Sequence, residues 1–395
     1  MGARRLDRSR REPIVNQVRP SENGLRVVFA GGGTGGHLYP ALAIAEQLAE
    51  LSDRVESVFF CSTRPLDARI LTEERAKFVS IPARPFSLRP LALAGFVRTW
   101  AGVVRRCRRQ LRQEAQQGKT IVVAMGGFVS APVVAAARKE RIPVVLVNLD
   151  ATPGRANRWV AKRSSQIFTA AEVNRFPSWK RIRPIVRWAA IADGDRQFCR
   201  REIGLDPDLK TLLVTGASQG ARTINRLMMA LIEHRRAAFD GWQVIHQCGP
   251  VATAKDTLDE RGIADAYEKA GIRAIVKPLF REMGRVFGAA DVAIGRCGAG
   301  SVGDTWANRV PSVFLPYPYH KDQHQRLNAL PLEKAGCAII VQDRIEAALN
   351  EADAGAVLLS LMADGQKRDA MREKLRELGP ADGAGAVARA ILAGV

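Results

Sequence analysis

The chain contains the same local arrangement twice: an apolar strand, a glycine-containing loop and a segment with the helical spacing of apolar residues. Apolar runs that do not alternate with polar residues predict strands buried on both faces, as in a parallel sheet. Each half of the chain therefore opens like a Rossmann-type α/β domain. The segments are 25–30 (LRVVFA), 31–36 and 40–51 in the first half, and 211–215 (TLLVT), 216–220 and 221–233 in the second half.

Further strands and helices alternate in both halves, which predicts an α/β fold with two Rossmann-like, doubly wound parallel-sheet domains and a cleft between them. A length of 395 residues agrees with two domains. We expect a basic disordered tail at 1–24, a first domain at 25–188 and a second domain at 189–395. The sequence leaves open whether the final helix, 383–395, packs back on the first domain. The other predicted strands are 55–60, 120–124, 144–147, 243–246, 274–276, 292–294 and 312–316, and the other helices are 67–74 and 131–138.

The charge of the chain is unbalanced, because 60 Lys and Arg residues oppose 40 Asp and Glu residues and give a formal net charge of +20. Such a field attracts anions, including nucleic acids, anionic lipid headgroups and diphosphates. Aromatic residues make up only 6% of the chain, and it contains neither zinc-finger spacing nor an RNP-type motif. We therefore expect no nucleic-acid partner.

The sequence is typical of a cytoplasmic protein. Its six cysteines are scattered without a CxxC pair, which favours reduced thiols. Residues 1–20 are rich in arginine and lack the apolar core of a secretory signal. The longest run without charge, 120–137, is shorter than a membrane span and is interrupted by two glycines and a proline. There is no HExxH, no DxD and no metal-type cluster, so we expect neither a metal nor a cofactor.

The first glycine loop ends at His37. A glycine loop that leads into a helix presents backbone N–H groups and a partial positive charge, which suits anions. That helix end disfavours imidazolium, so His37 should stay neutral and be able to accept a proton as a general base. A histidine that only caps or packs the loop is the alternative.

The second half contains three polar segments that suit an anionic ligand. The loop 216–221 contains glycines before a predicted helix, as the first glycine loop does. The segment 298–301 precedes another predicted helix, in which Asp304 can accept hydrogen bonds from ribose hydroxyls. Gln325 and Asn328 share a helix face after the predicted strand 312–316. The alternatives are an ordinary first-turn acid for Asp304 and a solvated helix face for Gln325 and Asn328.

Residues 84–113 combine an apolar helical face with a basic fringe, a pattern typical of a helix in the headgroup region of a membrane. An ordinary core helix with a basic outer face is the alternative. The apolar residues are Leu91, Leu93, Phe96, Val97, Trp100, Val103 and Val104, and the basic ones are Arg98, Arg105, Arg106, Arg108, Arg109 and Arg112.

Taken together, these segments resemble the MurG family, the UDP-GlcNAc transferases that convert lipid I to lipid II in peptidoglycan synthesis. The resemblance extends over about residues 25–345 and implies the GT-B fold. The matching segments are GGGTGGHLYPALAIAEQL at 31–48, MGGFVSAP at 125–132, PVVL at 143–146, GASQGA at 216–221, IHQCG at 245–249 and HKDQHQRLNALPLEKAG at 320–336.

The resemblance implies that the second domain binds the UDP-sugar and that the first domain faces the lipid acceptor. It implies that His37 is the base and that the enzyme acts at the inner face of the cell membrane, with UDP-GlcNAc, a lipid-linked acceptor and an anionic membrane surface as partners. The donor-binding residues that we expect are Thr34, Gly35, Gly36, Arg187, Ser218, Gln219, Gly220, Asp304, His324, Gln325 and Asn328, with a phosphate loop at Gly298, Ala299, Gly300 and Ser301.

The chain departs from the family at three places. Asp304 stands where the family usually has Glu, and His324 stands where it has Gln. The family's HEQN segment, on the acceptor side, reads VNLD at 147–150. The last change puts the acceptor in doubt more than the donor.

The predicted function is an inverting, metal-independent transfer of GlcNAc from UDP-GlcNAc to a lipid-linked acceptor. A transferase with another glycolipid acceptor keeps the same chemistry. Two further alternatives are a UDP-GlcNAc 2-epimerase, which shares the fold, and a non-catalytic UDP-sugar-binding protein.

Overall fold

The computed structural model describes residues 24–33, 35–86, 89–217, 220–250, 258–320 and 322–394. It divides the chain into two compact units. The first unit contains the residues up to Arg187 together with Asp382–Val395, and the second contains Trp188–Ala381. The final helix of the chain therefore belongs to the first unit.

The first unit is built on a seven-stranded parallel sheet with the order β3-β2-β1-β4-β5-β6-β7. Strand β1 lies between β2 and β4, so the winding direction reverses beside it, and ligands of open α/β sheets bind at such a point. The strands are β1 Leu25–Ala30, β2 Val55–Ser62, β3 Phe78–Ile81, β4 Lys119–Ala124, β5 Val144–Asn148, β6 Gln166–Thr169 and β7 Lys180–Arg181.

The helices of the first unit cover the sheet and include the last helix of the chain, which packs against the first. Gly383 N donates to Pro184 O (3.1 Å), which fixes the return of the chain. The helices are α1 Gly35–Leu51, α2 Pro65–Glu73, α3 Pro90–Ala115, α4 Gly127–Lys139, α5 Arg155–Ala161 and α15 Gly383–Leu392.

The second unit contains a six-stranded parallel sheet with the order β10-β9-β8-β11-β12-β13. Its strands are β8 Lys210–Thr215, β9 Trp242–Gln247, β10 Ala274–Lys277, β11 Val292–Gly295, β12 Ser312–Phe314 and β13 Ala338–Ile340. Its helices are α6 Arg196–Glu202, α7 Arg222–His234, α8 Glu260–Lys269, α9 Met283–Ala289, α10 Ala299–Asn308, α11 His324–Lys334, α12 Ala347–Asn350, α13 Ala356–Ala363 and α14 Gly365–Glu377.

The two central strands show why both sheets read as continuous apolar runs. In β1 and β8, the five residues after the first are buried in each strand. Helices cover both faces of such a sheet, so side chains that point in either direction leave water. The prediction of two doubly wound parallel sheets is confirmed.

Candidate active site

The glycine loop of the first unit leaves β1 and enters α1, and a buried carboxylate fastens it. Gly32 and Gly33 adopt φ angles of 148° and 89°, which favour glycine. Oδ2 of Asp67, in the first turn of α2, accepts from Gly33 N (2.7 Å), from Ser62 N (2.9 Å) and from the Ser62 hydroxyl (2.6 Å). Thr34, a predicted donor contact, lies outside the described residues.

The side chains of Arg64 and Phe128 also contact the glycine loop. Arg64 Nη1 donates to Gly33 O (2.6 Å), and its guanidinium lies 5.5 Å from the centre of the Phe128 ring. A Cβ atom built on Gly33 would lie 2.7 Å from Cε1 of Phe128. The protein's own side chains therefore fill the space next to this loop.

His37 is the third residue of α1 and lies half-buried against the turn before α4. Gly126 and Gly127 have φ angles of 103° and 76°, and a Cβ atom on either would lie 3.3 Å from the imidazole ring. Glycine here lets the backbone approach the ring closely. Of the predicted neighbours, Gly35 is buried and Gly36 is exposed in the same helical turn.

Burial lowers the pKa of His37 below its ordinary value of 6.5, although Asp150, Asp67 and a hydrogen bond with the Gly32 carbonyl act in the opposite direction. The neutral ring that the sequence predicts thus has a different main cause, because desolvation contributes most. A ring N–H that donates to Gly32 leaves the other nitrogen as an acceptor in the neutral form. That is the state a general base requires.

Asp150 is the residue near His37 that sequence reasoning did not select. It follows the carboxyl end of β5, where ligands of α/β sheets bind, and this position could have identified it as a candidate site residue. The buried Asn148 side chain donates to Asp150 O (2.7 Å), and Asn157 donates to Asn148 Oδ1 (2.9 Å). The altered segment 147–150 therefore forms a hydrogen-bonded turn that adds a carboxylate beside the histidine.

Arg187, a predicted partner of the donor, is engaged inside the first unit. Its guanidinium binds Glu74 in a bidentate pair (2.6 and 2.8 Å) and also pairs with Glu46 (2.6 Å). These two carboxylates raise its pKa, although burial opposes them. The donor contact stays a prediction, and the pairs weigh against it because one carboxylate would have to be exchanged for the ligand.

In the second unit, the loop after β8 is tightly wound. A Cβ atom on Gly216 would collide with Ala221 N, and Gly220, at φ 72°, would place one 2.7 Å from Cys248 O. Ala217 is held at φ 58°. Ser218 and Gln219, the predicted diphosphate contacts, lie outside the described residues.

The turn that begins α10 differs from the loop after β8, because open space surrounds its glycines. Within the described part of the chain, Gly298 has no side-chain cap, and a Cβ atom on Gly298 or Gly300 would meet no heavy atom within 4 Å. The first intrahelical bond runs from Val302 N to Gly298 O (3.0 Å), so the N–H groups of Ala299, Gly300 and Ser301 have no intrahelical acceptor. Such a turn suits a phosphate.

Asp304 lies half-buried in the same helix. Desolvation raises its pKa from 3.8 to about 7. Near neutral pH the carboxyl therefore exists in both protonation states, and a hydrogen bond from a ligand hydroxyl would favour the charged one.

The residues predicted around the sugar lie at the start of α11. Gln325 Oε1 accepts from Tyr317 N (2.9 Å), so this side chain shapes the turn after β12. His324 Nδ1 bonds Asp322 (2.8 Å), which lowers the pKa of that carboxyl. Asn328 is buried on the same helix.

Arg296 connects several strand ends near these segments, a role that was not predicted from the sequence. It donates to Leu315 O (2.9 Å), to Asp343 (2.7 Å) and to the Thr223 hydroxyl (2.8 Å). These bonds connect the ends of β11 and β12 to the start of α7. They are contacts between distant segments, which local spacing does not reveal.

The apolar face of helix α3 divides into an exposed and a buried part, which corrects the prediction of one continuous membrane-facing side. Val103 and Val104 are buried in the core of the first unit, whereas Leu91 and Val97 are 92% and 64% exposed.

Among the described residues, no helix combines the length and apolar character needed to cross a membrane. No group of three or more potential metal ligands occurs in that part of the chain either.

Two family descriptions match the chain in the order of its units: the glycosyltransferase family 28 N-terminal domain over residues 27–169 and the C-terminal domain over residues 211–384. The chain belongs to glycosyltransferase family 28. It is thus an enzyme of the glycosyltransferase class.

A relative from Desulforudis audaxviator is 32% identical over 367 residues, which are 90% of this chain and 94% of that protein. Its name is UDP-N-acetylglucosamine–N-acetylmuramyl-(pentapeptide) pyrophosphoryl-undecaprenol N-acetylglucosamine transferase. The resemblance to the MurG family is therefore confirmed.

Solved structures confirm the GT-B fold. The crystal structure of Acinetobacter baumannii MurG superimposes with a TM-score of 0.67 and 23% identity, over 93% of this chain and 99% of that one. A UDP-GlcNAc 2-epimerase from Neisseria meningitidis superimposes with a TM-score of 0.60 and 11% identity, over 93% and 98%. The fold is shared by both reactions and does not separate them.

Proposed function

We propose that this enzyme moves GlcNAc from UDP-GlcNAc to a lipid-linked N-acetylmuramyl-pentapeptide acceptor. The observation that carries the proposal is His37, whose lowered pKa keeps the ring neutral beside the glycine loop. The chain also matches a relative named as an N-acetylglucosamine transferase over 90% of its length. An acceptor hydroxyl is a weak nucleophile and needs such a base.

In the proposed reaction, the acceptor oxygen attacks the anomeric carbon of the sugar as the bond to the diphosphate breaks. The proton of the hydroxyl passes to His37, the configuration inverts, and UDP leaves with the bonding electrons. The protein's part is to accept the proton and to stabilise the charge on the leaving diphosphate.

The start of α10 supports a donor site in the second unit. Its N–H groups at 299–301 suit the diphosphate, and Asp304 suits the ribose hydroxyls. Because helix N–H groups stabilise the leaving charge, the proposal needs no metal. The proposed donor set also includes the loop 216–221 and the start of α11, with His324, Gln325 and Asn328 toward the sugar.

The proposed acceptor is lipid-linked, and the first half of α3 suits a bilayer surface. Phe86, Phe96 and Trp100 form a ring chain with centroid spacings of 5.5 and 5.2 Å, and Leu91 and Val97 are exposed beside it. The fringe is smaller than the sequence predicts, because Arg108 and Arg112 both pair with Glu140 (2.6 and 2.8 Å). Apart from the paired Arg112, the exposed arginines of α3 are Arg98, Arg105, Arg106 and Arg109.

Flotation with anionic vesicles tests this membrane surface. The wild type should float at low salt and detach as salt rises, because a Debye length of about 10 Å at 0.1 M screens exposed charges. Leu91→Ser with Val97→Ser should reduce flotation without changing the melting temperature, because both side chains are exposed. A wild type that ignores anionic vesicles at low salt contradicts the membrane proposal.

The transfer itself is tested with purified enzyme, UDP-GlcNAc and detergent-solubilised lipid-linked acceptor. We expect the acceptor to gain one GlcNAc, with equal rates in EDTA. Loss of activity in EDTA that Mg²⁺ restores contradicts the metal-independent part. Conversion of UDP-GlcNAc to its 2-epimer without acceptor would establish the epimerase, and donor binding without either product would establish a non-catalytic protein.

A further inference from the structure

Asp67 and His37 bond the two ends of one peptide group. Oδ2 of Asp67 accepts from Gly33 N (2.7 Å), and the His37 ring donates to the carbonyl of Gly32. The N–H of residue 33 and the C=O of residue 32 belong to a single planar unit, in which they point in opposite directions. The carboxylate, the peptide group and the imidazole therefore form one hydrogen-bonded series.

Close packing holds the members of this series together. A Cβ atom on Gly32 would collide with Asp67 Oδ2, so a side chain at this position would separate the carboxylate from the loop. A Cβ atom on Gly127 would lie 2.9 Å from Gly32 O and 3.4 Å from His37 Nδ1, so these two atoms border the same small space. Glycine at both positions lets the carboxylate, the peptide group and the ring approach one another.

The carboxylate of Asp67 is buried and directs its hydrogen bonds to one side. Oδ2 accepts from Ser62 N (2.9 Å) and from the Ser62 hydroxyl (2.6 Å) in addition to Gly33 N. Oδ1 is buried and has no hydrogen-bond partner among the described residues. Asp67 also lies in the first turn of α2, where the helix dipole favours a negative charge. The glycine loop therefore receives the three bonds and the charge of this side chain.

A carboxylate that accepts from a peptide N–H polarises the carbonyl of the same peptide, because hydrogen bonds in a series strengthen one another. The Gly32 oxygen then binds the ring N–H of His37 more firmly. Burial lowers the pKa of His37, and the charges of Asp150 and Asp67 oppose that effect. These two carboxylates, after β5 and on α2, are the charged groups that act on the ring among the described residues, and the turn before α4 packs against it with glycines.

We propose that Asp67 is a positioning residue for His37, and that it acts through the Gly32–Gly33 peptide group to fix the orientation and the tautomer of the imidazole. The inference rests on the proposed role of His37 as the base. In other enzymes a carboxylate orients a catalytic histidine by direct contact, whereas a peptide group lies between the two side chains here. When His37 accepts the proton of the acceptor hydroxyl, the Gly32 carbonyl and the charge of Asp67 stabilise the imidazolium.

Nuclear magnetic resonance of the full chain with ¹⁵N-labelled histidine tests this inference independently of turnover. The chain contains five histidines, and the signal that disappears in His37→Gln identifies the ring. In the wild type we expect one tautomer of the neutral ring, because the Gly32 carbonyl keeps the proton on one nitrogen. A mixture of both tautomers in the wild type would overturn the proposal, and this measurement needs no change at Asp67.

Asp67→Asn separates the charge from the hydrogen bonds, since an amide oxygen can still accept from the same donors. We expect the pKa of His37 to fall, and kcat to fall about tenfold with an unchanged dissociation constant for UDP, because a less basic imidazole is a weaker proton acceptor. Asp67→Ala removes the oxygens as well and should also allow the second tautomer. Ser62→Ala is the matched control, because it removes one bond from the same carboxylate and keeps the charge. It should lower the melting temperature and leave the titration of His37 unchanged.

An unchanged His37 pKa in Asp67→Asn would overturn the proposal whatever happens to turnover, since Asp67 would then only pack the loop. An equal fall of that pKa in Ser62→Ala would overturn it too, because loosening of the loop would explain both results. A wild type that transfers no sugar would contradict the proposed function, whereas the titration of His37 tests the action of Asp67 in either case.

Discussion

The glycine turns at the two ends of the proposed chemistry differ in what surrounds them. In the first unit, Cβ positions on Gly32 and Gly33 collide with Asp67 and Phe128. In the second unit, the same positions on Gly298 and Gly300 are open toward all described atoms within 4 Å. Glycine therefore allows close packing against Asp67 and Phe128 in the first turn, whereas it leaves open space beside the second turn.

The largest effect should come from His37. We expect His37→Ala to lower kcat by about 10²-fold or more and to leave the dissociation constant of UDP unchanged, because a base contributes to proton transfer and not to donor binding. Steady-state kinetics and UDP calorimetry give the two values. Near wild-type turnover in the variant would reduce His37 to a packing role.

Matched alanine substitutions test the contrast between the turns. Gly33→Ala forces alanine to φ 89° against Phe128, and such strain costs about 1–3 kcal/mol, or several degrees of melting temperature. Gly300→Ala should not lower the melting temperature, because its Cβ meets no described atom and alanine favours the helix. It should raise the KM for UDP-GlcNAc about tenfold, about 1.4 kcal/mol, because the methyl group would occupy space beside the proposed diphosphate. Equal melting temperatures for both variants, or an unchanged KM in Gly300→Ala, would remove the distinction.

Asp304 sharpens the comparison through pH. Its pKa is raised from 3.8 to about 7, so the folded state favours the neutral form, and its ionisation destabilises the fold as pH rises from about 4 through 7. Asp304→Asn should raise the melting temperature at pH 8 and not at pH 4. The wild type should bind UDP-GlcNAc a few-fold more tightly at pH 8 than at pH 6 if ribose bonds the carboxylate. A pH dependence that persists in the variant would contradict the ribose assignment.

Asp150 should give the smallest effect. Its charge opposes the lowering of the His37 pKa, so Asp150→Asn should lower that pKa further. Because the neutral imidazole is the active form, the acid limb of the kcat/KM profile should lie below 6.5 in the wild type and move to still lower pH in the variant. An unmoved limb would mean that another group titrates there.

The long buried strands could be predicted from the sequence, because a strand buried on both faces requires a continuous run of apolar residues. The short strands β3, β6, β7 and β13 were missed, since at least half of the residues in each are half-buried or exposed. Helix α1 begins at Gly35 and not at residue 40, because contacts of the loop override the poor helix propensity of glycine.

The positions of His37 beside the glycine loop and of a helix start at 298–301 could be predicted from motifs, and the roles of these residues stay predictions. The clamp of Asp67 and the pairs of Arg187 join residues 34 to 141 positions apart, and no local spacing reports them. The burial of Val103 and Val104, with Leu91 and Val97 exposed, likewise depends on contacts with distant segments.

Hydrogen–deuterium exchange with UDP-GlcNAc tests most directly the claim that the second unit holds the donor while the first supplies the base. We predict slower exchange in peptides that cover 298–304, where backbone N–H groups would bind the diphosphate, and unchanged exchange at 31–33, where the side chains of Asp67 and Phe128 crowd Gly32 and Gly33. Protection at 31–33, with 298–304 unaffected, would contradict this assignment.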